Sequence, residues 1–284
     1  MTEPLHCYRH PNRETYVSCS ECGRGICPDC MVFGPVGIRC PDHAHGAATA
    51  PKQRAKVTAR RLSAPTGLVT RILIGVNVAV YALELALGGM VNGTNNWLYE
   101  HGVLVSTAID SSGQAIGVAQ GEWWRLITAP FLHYGPLHLG LNMLVLWFIG
   151  PTLETFFGRW RYLLLYLVSG LAGSAGALIV SPNSLTVGAS GAIWGLMAAA
   201  VVLEAKRIYV FGGQAMGLLA FNVIFTLSSA VYGGNISIGG HLAGGIGGAA
   251  ATFVFIGLRR TPTLATLGVA AIGALSVAVA VYSV

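Results

Sequence analysis

Charge is what this sequence has least of. Asp, Glu, Lys and Arg make up 10% of the residues against 54% hydrophobic ones, whereas an ordinary soluble domain is about a quarter charged. That excludes a soluble globular fold for most of the chain and predicts a membrane protein. Cysteine is missing after Cys40, all six falling between Cys7 and Cys40, so disulfides cannot staple the apolar part. The first fifteen residues contain no apolar run of the length a secretory signal needs, and the N-terminus is expected to stay in the cytosol. Internal repeats and interrupted helices in matching halves, the mark of many transporters, are not found either. The net charge of +6 does not predict a nucleic-acid partner, because no basic stripe is interleaved with aromatics and the basic residues flank apolar runs instead.

What is present divides into three parts: a Cys- and His-rich module over 1–46, a basic linker over 47–67, and an apolar region over 68–284. The apolar runs predict seven helices, at 68–89, 134–155, 160–180, 188–205, 213–231, 237–258 and 263–283, each near the ~20 residues that cross a bilayer. Between the first two, 89–133 is mixed in polarity and holds Trp97, Trp123 and Trp124, as an interfacial loop would. Basic residues occur at alternate connections, namely the linker with Arg71, then Arg159 and Arg161, Lys206 and Arg207, and Arg259 and Arg260. The other three connections hold Arg125 alone. The positive-inside rule then predicts a cytosolic N-terminus, seven crossings and an external C-terminus.

Polar residues inside spans are expensive, so those at one depth are informative. Ser190, His241 and His138 fall in the first turns of spans predicted to enter from outside, with Asn142 one turn deeper than His138. A serine hydroxyl needs a neighbouring base to become a nucleophile, and His241 is the candidate. His138 and Asn142, at i and i+4, project from one helix face and could donate to an oxyanion, with the backbone N–H of Ser190 as a further donor. The only acids in or at the edge of the spans are Glu84, Glu154 and Glu204, and none is placed to complete a Ser-His-Asp set. A dyad is therefore expected, with the Trp194 ring packed against His241 to hold the imidazole. Gly191 and Gly195, with Gly240, Gly244 and Gly248, recur every fourth residue and would let two helices approach closely.

Glu122-Trp123-Trp124-Arg125, His138 with Asn142, Gly188-Ala189-Ser190-Gly191 and His241-Leu242-Ala243-Gly244 resemble, in order and spacing, the motifs of the rhomboid proteases over roughly 68–260. The resemblance implies an all-α polytopic membrane protein, a rhomboid-like six-helix bundle with a seventh C-terminal transmembrane helix. It implies an intramembrane serine endopeptidase that cuts single-pass membrane-protein substrates in the lipid bilayer, from a water-filled cavity open to the outside and with no catalytic cofactor. Ser190 would be its nucleophile, His241 its base, and His138 and Asn142 its oxyanion residues, with Gly188 and Trp194 in support. Trp123 or Trp124 with Arg125 would brace the loop, and Glu154, followed by Gly158, would be a structural acid. The ring below the serine is commonly Tyr or Phe in the family and is Trp194 here. The alternative is a weak or inactive relative that binds membrane clients, although the residues such a protein would lack are all in place.

Cys7 and His10, Cys19 and Cys22, Cys27 and Cys30, and Cys40 and His43 are four ligand pairs of equal spacing, enough for two tetrahedral zinc sites. In a cytosolic segment zinc is favoured over disulfides. The spacing is similar to that of B-box zinc fingers, and a cross-braced arrangement would join the first pair to the third and the second to the fourth; the spacing alone leaves that pairing open. His6 and His45 read as bystanders. With no open position, both ions would be structural in a module too small to fold by burial. Its role would be to bind a cytosolic protein partner. The Ala- and Gly-rich spans suggest a bacterial plasma membrane.

Overall fold

A computed structural model of the chain describes residues 4–34, 37–44, 67–89, 96–231 and 236–284; most of the expected linker, and His45, lie outside them. The chain divides into two compact units, Met1–Pro65 and Thr66–Val284.

The first unit is built on two antiparallel hairpins, β1 (Leu5–Cys7) with β2 (His10–Thr15) and β3 (Val32–Gly34) with β4 (Gly37–Arg39). Strands this short bury too little to hold themselves. Its buried core is Cys7, Cys19, Cys27, Cys30 and Cys40 around Ile26, so one aliphatic side chain is surrounded by sulfur.

The second unit is helical. Among the described residues, seven helices occur where apolar runs predict them: α1 (Leu68–Ala86), α4 (Gly135–Phe157), α5 (Arg159–Val180), α6 (Ser190–Ala205), α7 (Ala215–Val231), α8 (Ile238–Gly257) and α9 (Pro262–Tyr282). Two short ones, α2 (Trp97–Gly102) and α3 (Arg125–Thr128), lie in the long connection. Among the described residues, five helices are long and apolar enough to cross a membrane, namely α1, α4, α5, α8 and α9. The fourth and fifth expected spans are shorter than the sequence suggests, for local reasons. Ahead of α6 the chain is held extended, Thr186 exchanging both backbone hydrogen bonds with Leu104 at 2.9 and 3.1 Å and the Gly188 N–H donating to Ala129 O at 3.0 Å. Ahead of α7, the Glu204 carboxylate accepts from the backbone N–H groups of Phe211, Gly213 and Ala215 at 2.9–3.0 Å, which folds the connection into turns and delays the helix.

Small residues set the packing of α8 against α5 and α6. A Cβ on Gly244 would enter the Gly191 carbonyl, and one on Gly248 the Gly195 carbonyl, so these helices meet backbone to backbone where apolar surface gives no preference over lipid. At the other end of α4, the Glu154 carboxylate accepts from Val69 N at 3.0 Å, Thr70 N at 2.9 Å and Thr70 Oγ1 at 3.0 Å. It thereby satisfies N–H groups that the first turn of α1 leaves free.

The long connection is ordered around Arg125, which is fully buried and donates to the Glu122 carboxylate at 2.7 Å and to the carbonyls of Glu100 at 2.7 Å and Val103 at 2.9 Å. The indole N–H of Trp124 donates to His101 O at 3.0 Å. Trp97, Trp123 and Trp124 keep 63%, 57% and 40% of their surface exposed, as rings seated in a headgroup layer would.

Candidate active site and metal centres

Ser190 is the first residue of α6. Gly188, two residues earlier, has φ +120°, and a Cβ there would lie 2.6 Å from His138 Cε1 and 2.9 Å from His138 Nε2. Only glycine both adopts that backbone conformation without strain and leaves the imidazole its place. The turn therefore delivers the serine to the start of a helix, whose first N–H groups have no partner within it.

His241 lies in the first turn of α8, which Ser237 caps by accepting from Gly240 N at 3.1 Å. Its Nε2 is 2.8 Å from Ser190 Oγ. The Trp194 indole stacks on the imidazole with centroids 4.8 Å apart and planes inclined by 20°. The other ring nitrogen, Nδ1, is 3.0 Å from the hydroxyl of Thr226 on α7.

His138 and Asn142 face the same space from α4. The Tyr134 N–H donates to His138 Nδ1 at 3.3 Å. A nitrogen that accepts carries no proton in neutral imidazole, so the proton sits on Nε2, the atom that overlies Gly188. Asn142 Nδ2 donates to His138 O at 2.9 Å; that uses one of its two N–H groups and leaves the other available. Ser190, His241, His138, Asn142, Trp194 and Thr226 all line one cavity of about 140 Å³. A hydroxyl within hydrogen-bond distance of an imidazole, opposite N–H donors in the same cavity, is an arrangement that acyl transfer uses.

The sequence reading did not find Thr226. A threonine in an apolar helix usually bonds the carbonyl one turn back, and only the fold brings this one to His241. The acids stand elsewhere: Glu154 and Glu204 tie backbone N–H groups as described, and Glu84 is buried in α1.

In the first unit, Cys7, His10, Cys27 and Cys30 form one group and Cys19, Cys22, Cys40 and His43 the other, the donor atoms of each lying within 4.8 Å of one another. This joins the first pair to the third and the second to the fourth, the cross-braced pairing. Thiolates about 2.3 Å from a tetrahedral zinc lie roughly 3.8 Å apart. The Sγ atoms of Cys22 and Cys40 are 3.9 Å apart, and His10 Nδ1 is 3.4–3.7 Å from its three sulfurs. Burial disfavours the Cys7 thiolate, but the N–H groups of Cys27 and Arg9 and the His10 side chain outweigh it and bring the thiol down to about 6. Burial likewise works against the Cys19 thiolate, and the N–H groups of Cys40, Glu21 and Cys22 bring that thiol to about 6. The donor sets fit two zinc ions held entirely by protein, a closed and structural arrangement. His6 belongs to neither group.

A family profile described as "Rhomboid domain" matches residues 120–258, the stretch that runs from the end of the long connection through α8. Rhomboid protease GluP of Bacillus subtilis is 38% identical over 135 residues, covering 46% of this chain and 26% of GluP. The protein named "Putative rhomboid protease YdcA", also of Bacillus subtilis, is 35% identical over 146 residues, 51% of this chain and 73% of that protein. Inactive RHOMBOID-like protein 8 of Arabidopsis thaliana is 33% identical over 107 residues, 38% of this chain and 30% of its own. The chain thus spans about a quarter of GluP and nearly three quarters of YdcA. With several apolar helices around the matched segment and relatives of this kind, the protein is a multi-pass membrane protein that belongs to the rhomboid family.

Proposed function

We propose that the chain is an intramembrane serine endopeptidase in which Ser190 attacks and His241 takes its proton. The observation that carries this reading is the 2.8 Å contact between Ser190 Oγ and His241 Nε2 at the head of two helices. Ser190 Oγ bonds to the scissile carbonyl carbon as its proton passes to Nε2, and the carbonyl oxygen becomes an oxyanion. His138 Nε2–H, the free N–H of Asn142 and the Ser190 backbone N–H donate to that oxygen. Collapse expels the amine, which takes the proton from His241, and a water deprotonated by the same imidazole releases the acyl group. Gly188 seats His138 beside the serine, and Trp194 holds the imidazole plane.

Substrates would be transmembrane segments of single-pass proteins, presented within the bilayer. The alternating basic connections support a cytosolic N-terminus and an external C-terminus in a plasma membrane, and the two Bacillus relatives favour a bacterial one. The zinc module would be held by two structural ions and bind a cytosolic partner, for which the exposed Tyr16 and Phe33 are available. A client-binding role without cleavage is the second reading, because an inactive homologue lies in the same family.

The test is cleavage of a tagged single-pass substrate by purified protein in liposomes, comparing wild type with Ser190→Ala and His241→Ala. Cleavage by wild type and loss of at least about a thousandfold in both variants is expected. Cleavage by either variant at the wild-type rate would refute the assignment.

A further inference from the structure

We propose that Thr226 is a positioning residue that fixes which nitrogen of His241 faces Ser190 and keeps the proton on the other; the inference rests on the nucleophile and base assigned above. To act as a base, His241 must offer an unprotonated Nε2 to the serine hydroxyl. Neutral imidazole then carries its proton on Nδ1, and that N–H needs an acceptor when buried. His241 is 6% exposed and Thr226 4% exposed, so most of what surrounds that N–H is protein. The Thr226 hydroxyl oxygen, 3.0 Å from Nδ1, is the group placed to accept it once Nε2 is the unprotonated nitrogen.

The stacked indole cannot do this work. A half-turn of the imidazole about its Cβ–Cγ bond leaves the ring in the same plane, with the Trp194 stack intact, yet exchanges Nδ1 for a carbon and turns Cε1 in place of Nε2 toward the serine. Only polar partners in the ring plane distinguish the two states, and of the two present, Ser190 at Nε2 and Thr226 at Nδ1, it is Thr226 that takes no part in the bond-making. In the reverse arrangement, with the threonine hydroxyl donating to Nδ1, Nε2 would hold the proton and could not accept one from Ser190. When the imidazole becomes a cation during the reaction, the same oxygen continues to accept from Nδ1. Because Thr226 is carried by α7 and His241 by α8, the bond also ties these two helices at the dyad.

The experiment uses the full-length zinc-loaded protein in liposomes, with a fluorophosphonate probe that bonds covalently to activated serines, and 15N spectra of labelled histidines. The variants are Thr226→Val, which keeps the shape, Thr226→Ala as a second removal of the hydroxyl, and Thr226→Ser, which keeps it. We expect wild type to be labelled at Ser190, Thr226→Val and Thr226→Ala about tenfold more slowly, and Thr226→Ser within about twofold of wild type. The His241 signal should show the proton on Nδ1 in wild type and a mixture of forms in the valine variant. Labelling of the valine variant at the wild-type rate, or a serine variant as slow as valine, overturns the proposal. Wild type labelled no faster than Ser190→Ala overturns the parent assignment and this one with it.

Discussion

The two units reach order by opposite means. In the bundle, backbones approach because side chains have been removed: Gly244 and Gly248 lie against the carbonyls of Gly191 and Gly195, and polar groups are few and placed where helices begin. In the N-terminal unit, Ile26 is, among the described residues, the one fully buried aliphatic side chain, and five buried cysteines surround it with Val17, Met31 and Ile38 at the edge. Contact is the organising force in the first case and, on the proposed zinc reading, ligation in the second. A chain can thus be ordered at both extremes of composition, provided that something other than oil-drop burial supplies the specificity.

Removing metal should separate the two units most sharply. Apparent binding energies in zinc-finger peptides are on the order of 10–16 kcal/mol, so a strong chelator is expected to unfold residues 4–44 while leaving probe labelling of Ser190 intact. Limited proteolysis and labelling on the same sample would read both; labelling that falls in step with the module would break the comparison. Next in size, Gly248→Leu should destabilise the bundle by roughly 3 kcal/mol, since the added side chain meets the backbone of α6. Thermal unfolding in detergent measures it, and the zinc content should stay at two per chain. Glu154→Ala should cost about 2 kcal/mol, because two N–H groups of α1 lose a charged acceptor; a melt unchanged from wild type would mean that water replaces the carboxylate. Gly188→Ala should cost about 1–2 kcal/mol, for an L-residue held at positive φ whose Cβ pushes the His138 ring aside. Its effect on substrate cleavage should be near tenfold, through the displaced His138.

Much of this was legible in sequence because both regions are written in extremes. Apolar runs located the seven helices, and equal Cys/His spacing selected the eight ligand residues whose donor atoms converge. What sequence could not reach depended on contacts across the fold. Thr226 looks like any in-span threonine until α7 and α8 are side by side. The late starts of α6 and α7 come from tertiary ties, one through Leu104 and Ala129 and the other through Glu204, that override an otherwise continuous apolar run. The cross-braced pairing is a matter of how two hairpins meet, which spacing alone leaves open.

The brevity of α6 bears on where the water comes from. Sixteen residues at 1.5 Å each make a helix of about 24 Å, short of the ~30 Å hydrocarbon thickness of a typical bilayer. No residue of it from Ser190 to Glu204 is exposed, so neighbouring helices surround it and the shortfall opens inside the bundle. The serine stands at the head of that helix and lines the cavity it shares with His241. Each turnover of a hydrolase consumes one water molecule, and the space that the missing turns leave above Ser190 would shorten the path by which that reactant reaches a bond otherwise wrapped in hydrocarbon.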